Sequence, residues 1–135
     1  MKKTDIQIGD FLTFEDCLND EAYSVIKVTG ILQDSFFARI DDAKADDELD
    51  YEGVVGIPLT AEILEKNGFK KSDLYEVWKI INPNYELRIT PWRVGIIFLE
   101  EDWTNEKEYS YPRPNCVHEL QHAFRLCGIE KEIVV

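Results

Sequence analysis

Hydrophobic positions in the first part of the chain fall in short runs rich in β-branched and aromatic residues, separated by polar breaks. The runs are residues 6–14, 23–32, 36–40 and 54–57. Runs of this length and composition are typical of strands, and the polar break at 33–35 predicts a hairpin between the second and third. Four short strands of this kind suit a small curved barrel of the SH3-like type.

A short helix is predicted at residues 61–67 by its start and stop signals. Thr60 is a typical N-cap, and Leu59 before it is placed to pack against Leu64 as a hydrophobic staple. Asn67-Gly68 supplies a left-handed terminator, after which Phe69 can fold back on the last turn. The sequence therefore predicts both ends of this helix.

Three longer apolar runs follow at residues 74–81, 85–90 and 92–99. Asn82-Pro83-Asn84 is a turn signal between the first two, and Thr90-Pro91 separates the second from the third. The pattern predicts an antiparallel meander, with Trp78 and Trp92 in its core. Further strands are predicted at residues 107–111 and 131–135.

A C-terminal helix is predicted at residues 116–127, between an N-cap at Asn115 and a terminator at Gly128. Its core-facing arc consists of Val117, Leu120, Ala123, Phe124 and Cys127. The 135 residues, 44% of them hydrophobic, suffice for one core. We therefore expect a single α+β domain spanning residues 1–135, with antiparallel sheets, one short helix and one C-terminal helix packed on a sheet.

The charge balance is strongly acidic, with 15 Lys and Arg against 27 Asp and Glu and a formal net charge of −12. This balance argues against direct binding to nucleic acid or to an anionic membrane. The acidic segment 41–52 is predicted to be a solvated loop, because it lacks the residue order of an EF-hand. An acidic surface also leaves open that the protein imitates the DNA backbone and occupies a DNA-binding protein.

The three cysteines, Cys17, Cys116 and Cys127, have no C-x-x-C spacing. No apolar segment follows Lys2-Lys3, and the longest apolar run, 94–99, is too short to cross a bilayer. We therefore expect a cytoplasmic protein without membrane association, whose buried thiols remain unpaired.

The sharpest motif is His118-Glu119-Leu120-Gln121-His122, which fits the pattern H-E-x-x-H. On a helix, His118 and His122 would hold one zinc ion, and Glu119 would act as general base on the metal-bound water. The predicted C-terminal helix supplies the context that this chemistry requires. A small zinc-dependent hydrolase is therefore one hypothesis for the function.

Several features favour the interpretation that the motif binds no metal. The only acidic candidates for a third ligand after His122 lie beyond Gly128, and Cys127 is about 140° around the helix from His122, at about 100° per residue. The core-facing arc leaves both histidines on the solvent side, where Arg125 would oppose a cation. On this interpretation the histidines face solvent on an amphipathic helix, and the protein needs no cofactor.

Two segments resemble a group of small uncharacterised proteins of gut anaerobic bacteria and their prophages and other mobile elements. They are the helix start Ile57-Pro58-Leu59-Thr60 and the helix at 117–126, which carries His118-Glu119-Leu120-Gln121. The resemblance implies that His118, Leu120 and Gln121 matter for structure. In many members of the group, glutamine stands at the position of Glu119 and asparagine at that of His122. It therefore also implies that H-E-x-x-H arose here by drift.

An exposed aromatic patch is predicted at Trp103, Tyr109 and Tyr111, which stand beside acidic residues or Pro112. The favoured hypothesis is a non-enzymatic accessory or interaction protein of a phage or mobile element, with another protein as its partner. The alternatives are the zinc hydrolase and the DNA-mimic decoy.

Overall fold

The computed structural model describes residues 1–73, 75–98 and 107–135. The chain divides into two compact units. The first unit consists of Met1–Pro58 and Cys116–His122, and the second of Leu59–Asn115 and Ala123–Val135. Each contains one five-stranded antiparallel sheet, which confirms the α+β class with antiparallel sheets. The single domain 1–135 stays a prediction.

The sheet of the first unit has the order β4-β3-β2-β1-β5. Its strands are β1 Phe11–Phe14, β2 Ile26–Ile31, β3 Ser35–Ile40, β4 Asp47–Asp50 and β5 Val54–Gly56, and two 3-10 turns lie at Lys3–Asp5 and Glu15–Cys17. The β2–β3 hairpin is confirmed, and its register shifts between Val28 and Gly30. The buried core is Ile6, Leu12, Ile26, Val28, Phe36, Ala38 and Val54. The SH3-like barrel stays a prediction.

The sheet of the second unit has the order β10-β9-β8-β7-β6. Its strands are β6 Lys70–Lys71, β7 Trp78–Ile81, β8 Tyr85–Ile89, β9 Arg93–Phe98 and β10 Lys107–Pro112. The predicted meander is therefore confirmed. One face buries Leu87, Ile89, Val94 and Ile96, and these residues oppose each other across β8 and β9. The other face of this sheet carries Lys79, Arg88 and Glu86 together with Ile81 and Ile97, and we call it the open face.

Two helices complete the fold, α1 at Ala61–Lys66 and α2 at Val117–Leu126. Helix α1 begins as predicted, because the Thr60 hydroxyl accepts a hydrogen bond from the Ile63 amide at 3.3 Å. It ends as predicted, because Gly68 has a φ of +86° and the Phe69 amide donates to the Leu64 carbonyl. Among the described residues, no helix combines the length and apolar composition needed to cross a membrane.

Two of the predicted elements are wrong. The segment 41–52 is not a loop throughout, because Asp47–Asp50 forms β4 and pairs with β3 from Ser35 to Ala38. Residues 131–135 form no strand, since the backbone of Val134 bonds to the side chain of Asn67 instead of to a sheet. In both places the partner lies elsewhere in the chain, where local composition carries no information about it.

Candidate functional site

Helix α2 presents the H-E-x-x-H motif within the first unit. The Val117 amide donates to the Ile57 carbonyl at 2.9 Å, which fixes the start of the helix beside β5. The helix therefore begins one residue later than predicted, with Cys116 and not Asn115 directly before it. Four members of its predicted arc are buried, namely Val117, Leu120, Ala123 and Phe124, and the fifth, Cys127, is half buried. Gly128 terminates it with a φ of +68°.

Gln121 ties the helix to the loop before β1. Its Oε1 accepts a hydrogen bond from the Phe11 amide at 2.9 Å, and its Nε2 donates to the Gly9 carbonyl at 3.0 Å. The loop is itself held to β2, because Gly9 and Asp10 exchange backbone hydrogen bonds with Val28. The buried amide of Gln121 thus satisfies two backbone groups that the sheet leaves unpaired.

His122 is bound to a fully buried carboxylate. Its Nε2 lies 2.6 Å from Oδ2 of Asp10, and the same oxygen accepts a hydrogen bond from the Gln7 amide. Because Nε2 is engaged with Asp10, only Nδ1 of this ring can serve a further partner. Asp10 is a site residue that the sequence did not indicate, and the Gly9-Asp10 bend was the only signal near it.

The predicted solvent exposure of His118 is wrong, because this side chain is only 6% exposed. β5 approaches this ring closely at Gly56, on the face of α2 that helical periodicity assigns to solvent. Nδ1 of His118 is buried and has no hydrogen-bond partner within the described part of the chain. Burial lowers the pKa of His118 below its ordinary value of 6.5, and His122 lowers it further, against the opposing effect of Asp10, Glu119 and Asp5.

A cavity of about 600 Å³ adjoins these side chains, with Asp5, Cys116, His118, Glu119 and His122 in its lining. A Cβ atom at Gly56 would lie 2.6 Å from both Cys116 Sγ and His118 Cε1, so these two atoms flank the same point. Burial, and then the Glu119 carboxylate, raise the pKa of the Cys116 thiol. Cys116 is therefore a protonated thiol at neutral pH and not an activated nucleophile.

The two histidine rings of the motif are close to each other but do not point together. The rings of His118 and His122 are nearly perpendicular, with centroids 5.6 Å apart. Among the described residues, no three His, Cys, Asp or Glu side chains converge as metal ligands. Within H-E-x-x-H, the hydrogen bonds of Gln121 and His122 attach the helix to the loop at Gly9–Phe11, which is a structural use of the motif.

We expect His118 to make the protein less stable as the pH falls. Below about 6.5 the unfolded chain protonates this imidazole, whereas the folded chain resists protonation because its pKa is lowered. The free energy of unfolding should therefore decline between pH 7.5 and 5.5, and the decline should be smaller in His118→Leu. Urea unfolding of both proteins at the two pH values measures the difference. Equal declines would contradict the assignment.

Two strongly exposed aromatic side chains lie at one end of the second sheet. Trp92 is 82% exposed and Tyr75 is 72% exposed. Trp92 occupies the two-residue turn between β8 and β9, where the Thr90 hydroxyl accepts a hydrogen bond from the Arg93 amide. Tyr75 lies in the connection that leads into β7, whose first residue, Trp78, opposes Ile89 at the end of β8. We call Tyr75 and Trp92 the aromatic end.

The predicted core position of Trp92 is wrong, because the alternation of faces that predicted it does not extend beyond the strand. Trp92 is two residues before Val94 and four before Ile96, which are both buried, so strict alternation assigns it to the same face. Alternation holds only within a strand, and β9 begins at Arg93. The signal available in the sequence was Pro91, which favours the first central position of a turn and places Trp92 at the second.

The predicted patch of Trp103, Tyr109 and Tyr111 is placed only in part, because Trp103 lies outside the described residues. Tyr109 and Tyr111 oppose Ile96 and Val94, so they lie on the face of the sheet that carries the core and not on the open face. Tyr109 is exposed and stacks edge-on against Phe98 at 5.8 Å. Tyr111 is half buried, with its hydroxyl 3.6 Å from Sγ of Cys127.

Comparison with protein-family models, curated proteins and solved structures finds no match to this chain. The function is therefore argued from the geometry of the two units.

Proposed function

We propose that the chain is a cytoplasmic, non-enzymatic interaction protein that binds another protein through the aromatic end of its second unit. The observation that carries the proposal is the 82% exposure of Trp92. Exposing an indole of this size is unfavourable in water, and tryptophan and tyrosine are the residues most enriched among binding hot spots. Tyr75 supplies a second aromatic side chain at the same end of the sheet.

Rigid presentation of these side chains supports the proposal. Trp92 is held in a turn in which Thr90, directly after β8, bonds to Arg93, the first residue of β9. The Thr90 hydroxyl accepts from the Arg93 amide, and the Thr90 amide donates to the Arg93 carbonyl. The turn follows β8, whose inner face at Leu87 and Ile89 is fully buried. A side chain displayed from such a support loses less conformational freedom on binding than one on a long loop.

The geometry of H-E-x-x-H also supports a non-enzymatic function. Both polar atoms of the Gln121 side chain and Nε2 of His122 are engaged with Gly9, Asp10 and Phe11 of the same chain. The resemblance to proteins of mobile elements, in which Glu119 and His122 are replaced, favours the same interpretation. An accessory protein of a phage or mobile element, acting on a host or phage protein, fits these observations.

We expect Trp92→Ser to weaken partner binding by about 30-fold or more, as loss of a tryptophan hot spot costs about 2 kcal/mol or more. The measurement is quantitative capture of proteins from a native lysate of the source cells, followed by titration of the captured protein. Ile8→Ser is the matched control, since Ile8 is an apolar residue of the first unit that is also well exposed, at 62%. If both variants retain the partner, the aromatic end is not the binding site.

A second candidate function is the zinc hydrolase, and one observation favours it. Asp10 stands behind His122 in the way that a carboxylate commonly orients a metal-binding histidine, which leaves Nδ1 facing other partners. Cys116, His118 and Glu119 line the neighbouring cavity. On this function, Glu119 would be the general base, and His118 and His122 would be ligands.

Metal content separates the two candidates. We expect no stoichiometric zinc, by mass spectrometry, in protein purified without a metal-affinity step and then offered zinc. We also expect Glu119→Gln to unfold at the same urea concentration as the unaltered protein and to bind the same partner. About one zinc per chain that is lost in His122→Ala would instead establish the hydrolase candidate and direct the search to peptide and amide substrates.

A further inference from the structure

Cations are concentrated on the second unit, although the chain as a whole is strongly acidic. Two cavities of about 250 and 720 Å³ share Lys79 and Ser72 in their linings. The cationic side chains that line them are Lys70, Lys71, Lys79, Lys131, Arg88 and Arg93. Among the described residues of these linings, the acidic ones are Asp73 and Glu108. Asp and Glu outnumber Lys and Arg 27 to 15 in the sequence, so this surface reverses the balance of the whole chain.

Strand pairing places three of these cations in one row. Lys70 of β6 opposes Lys79 of β7, and Lys79 opposes Arg88 of β8. Residues directly opposite each other point to the same face, so the row lies on the open face. Like charges at opposed positions repel each other and destabilise the sheet. The repulsion is relieved at one end, where Arg88 forms an ion pair with Glu86 at 3.0 Å.

The row ends at an opening in the open face. Arg88 opposes Gly95 of β9, which has no side chain, so the smaller cavity extends over the strand at this point. Val77 and Ile97 supply apolar walls to the same cavity, and Tyr75 of the aromatic end also lines it. The two cavities meet at Ser72 and Lys79, and we call them together the cationic groove.

We propose that the cationic groove binds an extended acidic segment of the partner protein, an inference that rests on the proposed function. Neighbouring strands are about 4.8 Å apart, so the row from Lys70 to Arg88 spans about 10 Å, the length of roughly three steps along an extended peptide. Acidic side chains within four consecutive positions match the row, and an apolar side chain fits against Val77 and Ile97. The acid–cation contacts offset the repulsion within the row.

A peptide fits this surface better than a nucleic acid does. Nucleic-acid binding draws on a long basic stripe that neutralises many phosphates at once. The groove offers a short row and a small cavity, and the net charge of −12 repels a densely charged polymer more strongly than a segment with a few carboxylates.

The test uses a fluorescein-labelled peptide of alternating glutamate and tyrosine, titrated with the full chain and followed by fluorescence anisotropy. We expect Lys79→Glu to weaken binding by about tenfold, since Lys79 lines both cavities. Lys44→Glu is the matched control, because it changes the net charge equally on an exposed residue of the first unit. It should weaken binding by less than about twofold at physiological salt.

Three results would overturn the inference: no binding of the peptide, equal effects of the two lysine variants, or tighter binding of oligothymidylate than of the peptide. The partner-capture experiment distinguishes these failures from failure of the proposed function. If Trp92→Ser loses the partner and Lys79→Glu retains it fully, the proposed function is supported. Only the inference that the groove binds an acidic segment is then contradicted. If both variants retain the partner, the aromatic end is not the binding site either.

Discussion

Replacing Gln121 by leucine is expected to lower the free energy of unfolding of the first unit by about 3 kcal/mol. The substitution leaves the Phe11 amide and the Gly9 carbonyl without their partners at 2.9 and 3.0 Å, at a buried position. A buried backbone group that loses its hydrogen bond costs about 1–3 kcal/mol, and two are affected. The gain from a more apolar side chain offsets only part of that cost.

Two measurements check the Gln121 prediction. Urea unfolding followed by circular dichroism should show a lower midpoint, and hydrogen exchange should show faster exchange of the Phe11 amide, which Gln121 protects in the native protein. Gln33→Leu is the control, because it makes the same chemical change at an exposed position in the β2–β3 turn. If both variants unfold at the same urea concentration, Gln121 does not anchor the helix to the loop.

Replacing Asn67 by alanine is expected to destabilise the second unit by about 3 kcal/mol and to release the C-terminal segment. The buried Asn67 amide donates from Nδ2 to the Ile63 carbonyl at 2.7 Å and to the Val134 carbonyl at 2.8 Å. Its Oδ1 accepts from the Val134 amide at 2.8 Å. Loss of all three bonds leaves the backbone of Val134 unpaired on both sides.

Release of the segment gives the Asn67 prediction a local readout. Ile129 and Ile133 are buried in the native protein, so a detached segment exposes them and becomes a substrate for limited proteolysis. Asn67→Asp should behave like Asn67→Ala, because it retains one acceptor but places a negative charge among carbonyl oxygens. Asn19→Ala, at an exposed position, is the control. Equal rates of C-terminal cleavage in the alanine variants would contradict the assignment.

Local signals predicted the parts of the fold that depend on neighbours in the chain. Helix α1 begins and ends where Thr60 and Gly68 indicate, because capping involves residues only three or four positions apart. The β2–β3 hairpin and the meander β7-β8-β9 follow from alternation and turn residues. Asn67 was recognised only as part of a terminator, since its bonds to Val134 join residues 67 positions apart.

The candidate sites depended on contacts that no local pattern encodes. Helical periodicity assigned His118 to solvent, yet this side chain is buried and lies close to Gly56 of β5, more than 60 positions away in sequence. Alternation assigned Trp92 to the core, yet the turn between β8 and β9 exposes it. The cation row exists only through the register that opposes Lys70, Lys79 and Arg88.

The sequence by itself determined the fold class, the ends of α1, the buried arc of α2 and the acidic balance, because these follow from residue type and short-range spacing. Only the tertiary structure decided which polar groups meet. It paired His122 with Asp10, used Gln121 to anchor the helix, and placed Lys70, Lys79 and Arg88 in one row on an acidic chain. Such pairings depend on the register of strands and the path of distant loops, which the free energy of the whole fold selects and no single segment specifies.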